Sequence, residues 1–387
     1  MENIFKEFVI ENELFVNSKS WEILKATFTQ KYIIKDLSDA VVLYNIRLPY
    51  REISLEEAKA DYQALKGLNS DDLINNGAWG SKFDYKHGFI PKYVGISNVG
   101  NKASDYFHQV ERWKCDATGY PSPQKTWETE QYRLTLFKAL FSLNVKEINP
   151  NILRNCISLR KYIAAQFRPS AAKAIYDMFG AKSVLDFSMG WGDRIAGAFA
   201  SNSVERYVGI DPNPNLIAGY IDQIKFYQSI ESKYDRRKKM TLKLYPDRAE
   251  NEQLHINEKF DLIFTSPPYF DKEKYDQSAN QSYIKYKKFD TWMEQFLFKT
   301  IDLRTENLNE GGHLVINVSD IYTRKKLFKI CDGMNDYIAS TGKYDYVGAM
   351  GLRMPKRPMS ISSNTVGIYG EPVWIHRKKY NSNLTLI

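Results

Sequence analysis

The sequence predicts an open α/β fold: a mostly parallel, twisted sheet with helices on both faces, preceded by a mixed α+β domain. Three observations predict it. From Asn151 onward, short apolar runs alternate with helical patterns, as parallel strands joined by crossover helices do. Turns rich in glycine, proline and acids follow several of those runs, as at Gly190–Gly192, Asp211 and Pro267–Pro268. Residues 68–128 read differently, rich in Gly, Asn, Asp, Ser and aromatics, and predict loops around short strands. The expected division is therefore an N-terminal accessory domain at 1–150 and the α/β domain at 151–380.

In chain order, residues 53–67 read as a helix with Ser54 as N-cap, Glu57 at the capping-box position and Gly67 as the stop. Residues 126–143 look helical. A helix near 170–179 leads into a strand at 183–187 (SVLDF), a glycine turn and a helix from about Asp193. The next strand is 206–210 (RYVGI), followed by a helix from about Asn215. Strands at 241–245 and 260–265 follow, then a helix at 291–307 and a strand at 313–318. In such sheets the ligand sits at the carboxyl ends of the strands, where the motifs below fall.

Composition sets limits. Hydrophobic residues make up 43% of the 387-residue chain, enough for a full core. The net charge of +8 is unevenly placed: residues 1–150 carry 19 basic and 20 acidic side chains, the remainder 35 and 26. A basic surface attracts phosphate backbones, though a solvated basic surface has the same composition. Cys115, Cys156 and Cys331 are far apart and the five His are not at ligand spacing, so neither a disulfide framework nor a metal site is expected. The N-terminal stretch carries acids among its apolar residues, unlike a secretory signal. No run approaches a membrane span of about 20 apolar residues. The expected setting is cytoplasmic.

The turn Asp186-Phe187-Ser188-Met189-Gly190-Trp191-Gly192-Asp193 follows the first strand. Glycines let backbone approach a ligand closely, and the helix start behind them offers free N–H groups suited to a carboxylate. Ile195 stands where a dinucleotide fingerprint has its third glycine, and no P-loop lysine follows. Asp211, ending the second strand, is the ribose candidate; the alternative is an N-cap for the next helix. After the third strand, Asp247 is the candidate acceptor for an adenine amino group, with Glu250 as rival.

Thr265-Ser266-Pro267-Pro268-Tyr269-Phe270 ends the fourth strand. An aromatic exocyclic amine is a poor nucleophile because its lone pair is delocalised. The Ser266 hydroxyl and the Pro267 carbonyl can accept from its N–H groups and localise that pair. Pro267 and Pro268 stiffen the carbonyl and bring no competing N–H. Tyr269 can stack on the ring, a contact worth roughly 1–3 kcal/mol per base, and alignment with a methyl donor supplies the rest.

These motifs, in this order, resemble the S-adenosylmethionine-dependent DNA amino-methyltransferases, which modify adenine N6 or cytosine N4. Ser266–Tyr269 matches the family's (Asp/Asn/Ser)-Pro-Pro-(Tyr/Phe/Trp) motif in full. Asp186, Gly190 and Gly192 match its Asp-Pro-Phe-x-Gly-x-Gly motif, which this chain leaves at Phe187-Ser188. Phe167-Arg168-Pro169-Ser170 is similar to the upstream Phe-x-Pro segment, and residues 369–378 to the closing strand. The resemblance covers about 160–380, and the Asp-Phe-Ser-x-Gly-Trp-Gly-Asp-Arg variant is similar to methyltransferases of phages and large DNA viruses. It implies a Rossmann-like class I methyltransferase fold. It also implies S-adenosylmethionine bound by Phe167, Pro169, Asp186, Ser188, Gly190, Gly192, Asp211 and Asp247, and catalysis by Ser266, Pro267, Pro268 and Tyr269. Ser at 266 leans toward cytosine N4. The target base must be extruded from a duplex or met in a single strand.

Target recognition is expected in residues 1–150, chiefly 68–128; a partner-binding or lid role is the alternative. Lys285–Lys288 and 354–359 (MPKRPM) are expected to flank the cleft and contact phosphates, and 236–239 (RRKK) to be a solvated helix end. Two rival functions remain open from sequence: an RNA base methyltransferase, and a non-catalytic nucleic-acid-binding subunit of the same fold.

Overall fold

The structure, a computed structural model, describes residues 2–160, 163–234, 240–323, 325–355 and 368–380. The 236–239 cluster and residues 356–359 lie outside the described residues. The chain forms two compact units, Met1–Ile53 with Gln109–Ala165, and Ser54–His108 with Gln166–Ile387. Residues 54–108, assigned by sequence to the N-terminal part, thus fold with the sheet.

The first unit is mainly helical, with helices Ser18–Thr27, Gln30–Leu43, Pro123–Glu128, Glu130–Ser142 and Pro150–Arg160. Trp21, Ile33, Leu37, Phe137, Leu140 and Ile157 are buried in its core. The single helix expected over 126–143 is two helices, because Thr129 adopts extended backbone between them.

The second unit holds the main sheet. Its strands are β1 (Ile74–Asn76), β2 (Trp79–Gly80), β3 (Phe89–Val94), β4 (Ser183–Asp186), β5 (Arg206–Ile210), β6 (Thr241–Tyr245), β7 (Phe260–Thr265) and β8 (Leu308–Asn317). A separate hairpin of β9 (Ile321–Thr323) and β10 (Lys326–Phe328) precedes the sheet strands β11 (Tyr344–Arg353) and β12 (Ile368–Lys378). The sheet order is β1-β3-β11-β12-β8-β7-β4-β5-β6, with β2 beside β12. From β8 to β6 the strands are parallel, while β12 runs antiparallel between β8 and β11.

The chain enters the parallel part at β4, moves outward through β5 and β6, and returns to β7 on the other side of β4. The order therefore reverses between β4 and β7, where Leu185 lies opposite Ile263. A crevice opens at the carboxyl ends where order reverses.

The helices of this unit are α1 (Leu55–Gly67), α2 (Asn101–Arg112, in this unit as far as His108), α3 (Pro169–Met178), α4 (Asp193–Ala200) and α5 (Ile217–Tyr234). Next come α6 (Phe289–Trp292 continued by π-helical Met293–Phe298 and Lys299–Thr305) and α7 (Ile330–Ser340). Helix α1 begins with the expected capping box: Ser54 Oγ accepts from Glu57 N at 3.1 Å and Glu57 accepts from Ser54 N at 3.0 Å.

Further elements differ from the sequence reading. Residues 101–112, expected as loop, form α2: Ala103, Tyr106, Phe107 and Val110 follow the helical period, yet its buried face includes the polar Ser104 and His108, while Tyr106 and Val110 are exposed. Helix α7 and strand β11 carried no assignment. No described helix is long and apolar enough to cross a membrane.

Candidate active site

The tips of β4 and β7 are neighbours because their strands pair. At the tip of β4, Gly190 and Gly192 have φ of +64° and +73°, a left-handed backbone that side chains resist. A Cβ on Gly192 would lie 2.3 Å from Gln223 Oε1 and 2.6 Å from His108 Nε2, so the turn also packs too closely for any other residue.

Asp186 lies under this turn, fully buried. Its Oδ2 accepts from Arg194 Nε at 2.7 Å and Tyr207 OH at 2.8 Å. Its Oδ1 accepts from Ser188 N at 3.1 Å and Arg194 Nη2 at 3.3 Å. A carboxylate has about four lone-pair sites, and all four are used within the protein. Asp186 therefore shapes the turn and does not face a ligand, unlike the expectation that it binds the cofactor directly. Burial pushes the Arg194 guanidinium down, but the charge of Asp186, with Tyr207 and Tyr176, more than offsets this and the net shift is upward. Arg194 also donates to Ser188 O and lies 5.3 Å from the centre of the Phe167 ring.

Asp211, at the tip of β5, is placed differently. Its Oδ2 accepts from Gly190 N at 2.9 Å and its Oδ1 from Asn213 N at 3.0 Å. Two acceptor positions remain for a vicinal diol. Burial pushes its pKa up to about 6 against those two N–H donors. The N-cap of the following 3₁₀ turn is Asn213, not Asp211.

Asp247 accepts from Arg248 N at 2.7 Å and from Asn251 Nδ2 at 2.8 Å. Arg304 fixes the rest of that loop by donating to the carbonyls of Ala249, Asn251 and Leu254 at 2.7–2.8 Å. The rival Glu250 is buried, accepts from Tyr286 OH at 3.2 Å and pairs with Lys285 at 3.5 Å. That pairing ties Lys285, one of the residues expected on phosphates, into the loop.

Phe167 is half-buried, its ring edge-on to Phe264 of β7 at 5.4 Å. Asp193, the first residue of α4, holds this segment by accepting from Phe167 N at 3.2 Å and Gln166 Nε2 at 3.1 Å. Pro169 is buried as the start of α3, so its part is to begin that helix. Ser188 Oγ donates to Phe187 O at 2.8 Å.

At the tip of β7, Ser266 Oγ donates to Asn317 Oδ1 at 3.4 Å. Asn317, ending β8, is oriented by its Nδ2 donating to Pro372 O at 3.0 Å. Tyr269 OH donates to Glu371 Oε2 at 3.4 Å, and Lys272 Nζ lies 5.0 Å from the centre of its ring. Burial, then Glu371 and Glu273, raise the tyrosine pKa well above its ordinary value. Burial raises Glu371 too, opposed by Lys272 and reinforced by Glu273. Phe270 has φ of +53°, a strained conformation for a bulky residue, and its ring packs on Phe289, Trp292 and Phe328. Asn317 and Glu371 carried no role in the sequence reading. Only strand pairing brings them beside the Ser-Pro-Pro-Tyr loop.

An open doubly wound sheet with a glycine turn and an acid on its first two parallel strands, and a Ser-Pro-Pro-Tyr loop on its fourth, defines a class I S-adenosylmethionine-dependent methyltransferase. Residues 260–385 match the model of the N6/N4 DNA methylase family. That match supports a DNA amino-methyltransferase activity on cytosine N4 or adenine N6, with S-adenosylmethionine as methyl donor. No curated protein matches the chain. Among solved structures, it is similar to the N-methyltransferase NodS from Bradyrhizobium japonicum WM9 in complex with S-adenosyl-L-homocysteine. That match has 14% identity and a TM-score of 0.33, and covers 52% of this chain and 79% of NodS. An rRNA methylase from Streptococcus thermophilus overlaps with 15% identity and a TM-score of 0.29, covering 56% of this chain and 100% of that one.

Proposed function

We propose that the protein binds DNA, extrudes a cytosine or adenine into the crevice between the tips of β4 and β7, and methylates its exocyclic amine there. The observation that carries this reading is the switch-point pairing of β4 with β7, which sets the glycine turn beside Ser266–Tyr269.

The donor set at the first tips fits S-adenosylmethionine. The start of α4 and the glycine turn offer N–H groups to its carboxylate. Asp211 retains acceptor positions for the ribose hydroxyls, and Asp247 is the acceptor assigned to the adenine amino group. Phe167 borders the methionine end, with Gly190, Gly192 and Ser188 forming the backbone floor. When bound, the sulfonium supplies an electrophilic methyl group.

The protein's residues do the rest. The Ser266 hydroxyl turns from Asn317 to the target amine, and the Pro267 carbonyl, held by Pro268, accepts its second N–H. Both acceptors draw the nitrogen toward tetrahedral geometry. Tyr269 stacks on the base, which displaces the Lys272 ammonium from the ring. We place target or partner recognition in the helical unit, 1–53 with 109–165, because residues 74–94 belong largely to the sheet edge.

The test is transfer of labelled methyl from S-adenosylmethionine to duplex DNA and, in parallel, to total RNA. Methylated cytosine or adenine in DNA is expected. Ser266→Ala should lower turnover by about 100-fold, on the scale of one lost polar contact to the reacting group, with S-adenosylhomocysteine affinity retained. Label in RNA alone, or full activity in Ser266→Ala, overturns the reading.

A further inference from the structure

The hairpin β9–β10 follows Asn317 closely in sequence and projects from the sheet end that holds Ser266. Its base is anchored: Ile321 is 4% exposed, and its cross-strand partner Phe328 packs at 5.3 Å from Phe270 and 5.1 Å from Phe289. Phe270 directly follows Tyr269. The hairpin and the Ser-Pro-Pro-Tyr loop therefore share one aromatic cluster.

The strand period of two sends the next pair outward. Tyr322 and Leu327 face each other across the hairpin and are 61% and 39% exposed. Lys325, at the turn with φ of +61°, and Lys326 are exposed beside them. No acidic residue occurs from 321 to 331. The two flanking acids point inward: Asp320 accepts from Cys331 N at 2.9 Å, and Asp332 from Lys86 N at 3.0 Å. The tip is thus an apolar pair rimmed by positive charge, and the acids that flank it in sequence are turned inward.

We infer that this hairpin is a DNA-contacting wedge, which rests on the function proposed above. Lys325 and Lys326 contact phosphates flanking the target nucleotide, and Tyr322, backed by Leu327, inserts against the bases beside the extruded one. Apolar wedges rimmed by cations unstack base steps in this way. A second protein copy would bring the same lysines into mutual repulsion, whereas the phosphate backbone is complementary to them.

The experiment measures binding of the full chain to a short fluorescein-labelled duplex of random sequence, by anisotropy across a salt series. K325A/K326A should lower the magnitude of the log Kd against log salt slope by about two, since each lost phosphate contact removes about 0.9. Y322A should weaken binding by about fivefold or more, as loss of a base stack does, with the slope unchanged. Calorimetry with S-adenosylhomocysteine should show wild-type affinity in both variants, which verifies folding. If the wild type methylates duplex DNA while both variants keep its affinity and slope, the hairpin assignment fails and the function stands. If the wild type neither binds nor methylates DNA, the function fails and the hairpin assignment with it. A change in sedimentation of Y322A without a change in DNA affinity also overturns the wedge, in favour of self-association.

Discussion

The tips of β4 and β7 are neighbours in one sheet but are built in opposite ways. Under the β4 tip, the Asp186 carboxylate and the Gly192 carbonyl are fully engaged. Asp186 accepts four hydrogen bonds, and Gly192 O accepts from Gln223 Nε2 at 2.9 Å, itself held by His108 at 2.9 Å. At the β7 tip, the hydroxyls of Ser266 and Tyr269 make contacts of 3.4 Å, near the limit of a useful hydrogen bond. The residue after them is held at φ of +53°. One tip is finished before any ligand arrives. The other keeps weak partners that a nucleobase can replace at little cost, so that binding and chemistry draw on the same groups. A fixed donor site and a yielding acceptor site suit a reaction in which one methyl donor must meet bases delivered from bulky duplexes.

The largest expected loss falls at Arg194. Arg194→Met removes the cation from a buried pair and leaves the Asp186 carboxylate without it, at an expected cost of about 3–5 kcal/mol. Urea unfolding should read that loss. Pairing it with Asp186→Asn should recover part of it, because the double variant buries no charge. If Arg194→Met unfolds at the wild-type midpoint, the β4 tip is not the rigid element described here.

How much of this contrast is legible in the sequence depends on which physical signal each element carries. Strands β5, β6 and β7 match their expected bounds, because each is a short apolar run between clear breaks. The capping box at Ser54 and Glu57 is local chemistry and reads directly. Helix α2 is legible in the spacing of Ala103, Tyr106, Phe107 and Val110, but not the face it buries, which pairs Ser104 with Asp193 and His108 with Gln223, partners distant in sequence. Asp186 shows the limit most clearly. Its motif position marks it for the cofactor, yet only counting its hydrogen bonds reveals that no acceptor position remains. Glu371 and Asn317 reach Tyr269 and Ser266 through strand pairing, which periodicity does not encode.

Tyr269→Ala tests the yielding tip. Loss of the stacking face should lower kcat/KM for DNA by roughly 10–100-fold, the scale of 1–3 kcal/mol per base, while S-adenosylhomocysteine affinity stays within about twofold. Tyr269→Phe sharpens the point. It keeps the ring and removes only the 3.4 Å contact to Glu371, so it should retain most activity. An equal drop in cofactor affinity for Tyr269→Ala would mean that the two tips act as one unit, contrary to the division drawn above.

The mildest effect is a pH dependence at the cofactor tip. Asp211 titrates at about 6, above its ordinary 3.8, because burial disfavours the charged form. The folded protein holds the proton more tightly than the unfolded chain, so this group's ionisation opposes folding as pH rises from about 4 to about 6. Ribose hydroxyls donate to the ionised carboxylate, so binding favours the opposite state. S-adenosylhomocysteine affinity should therefore rise with pH through that window, by at most about tenfold per pH unit, and level off above about 6. Calorimetry from about one pH unit below the transition to about two above it reads the change. Asp211→Asn should bind weakly and without that slope. A wild-type affinity that is flat across the window would place the ribose elsewhere than on Asp211, and would leave the β5 tip as a brace for Gly190 alone.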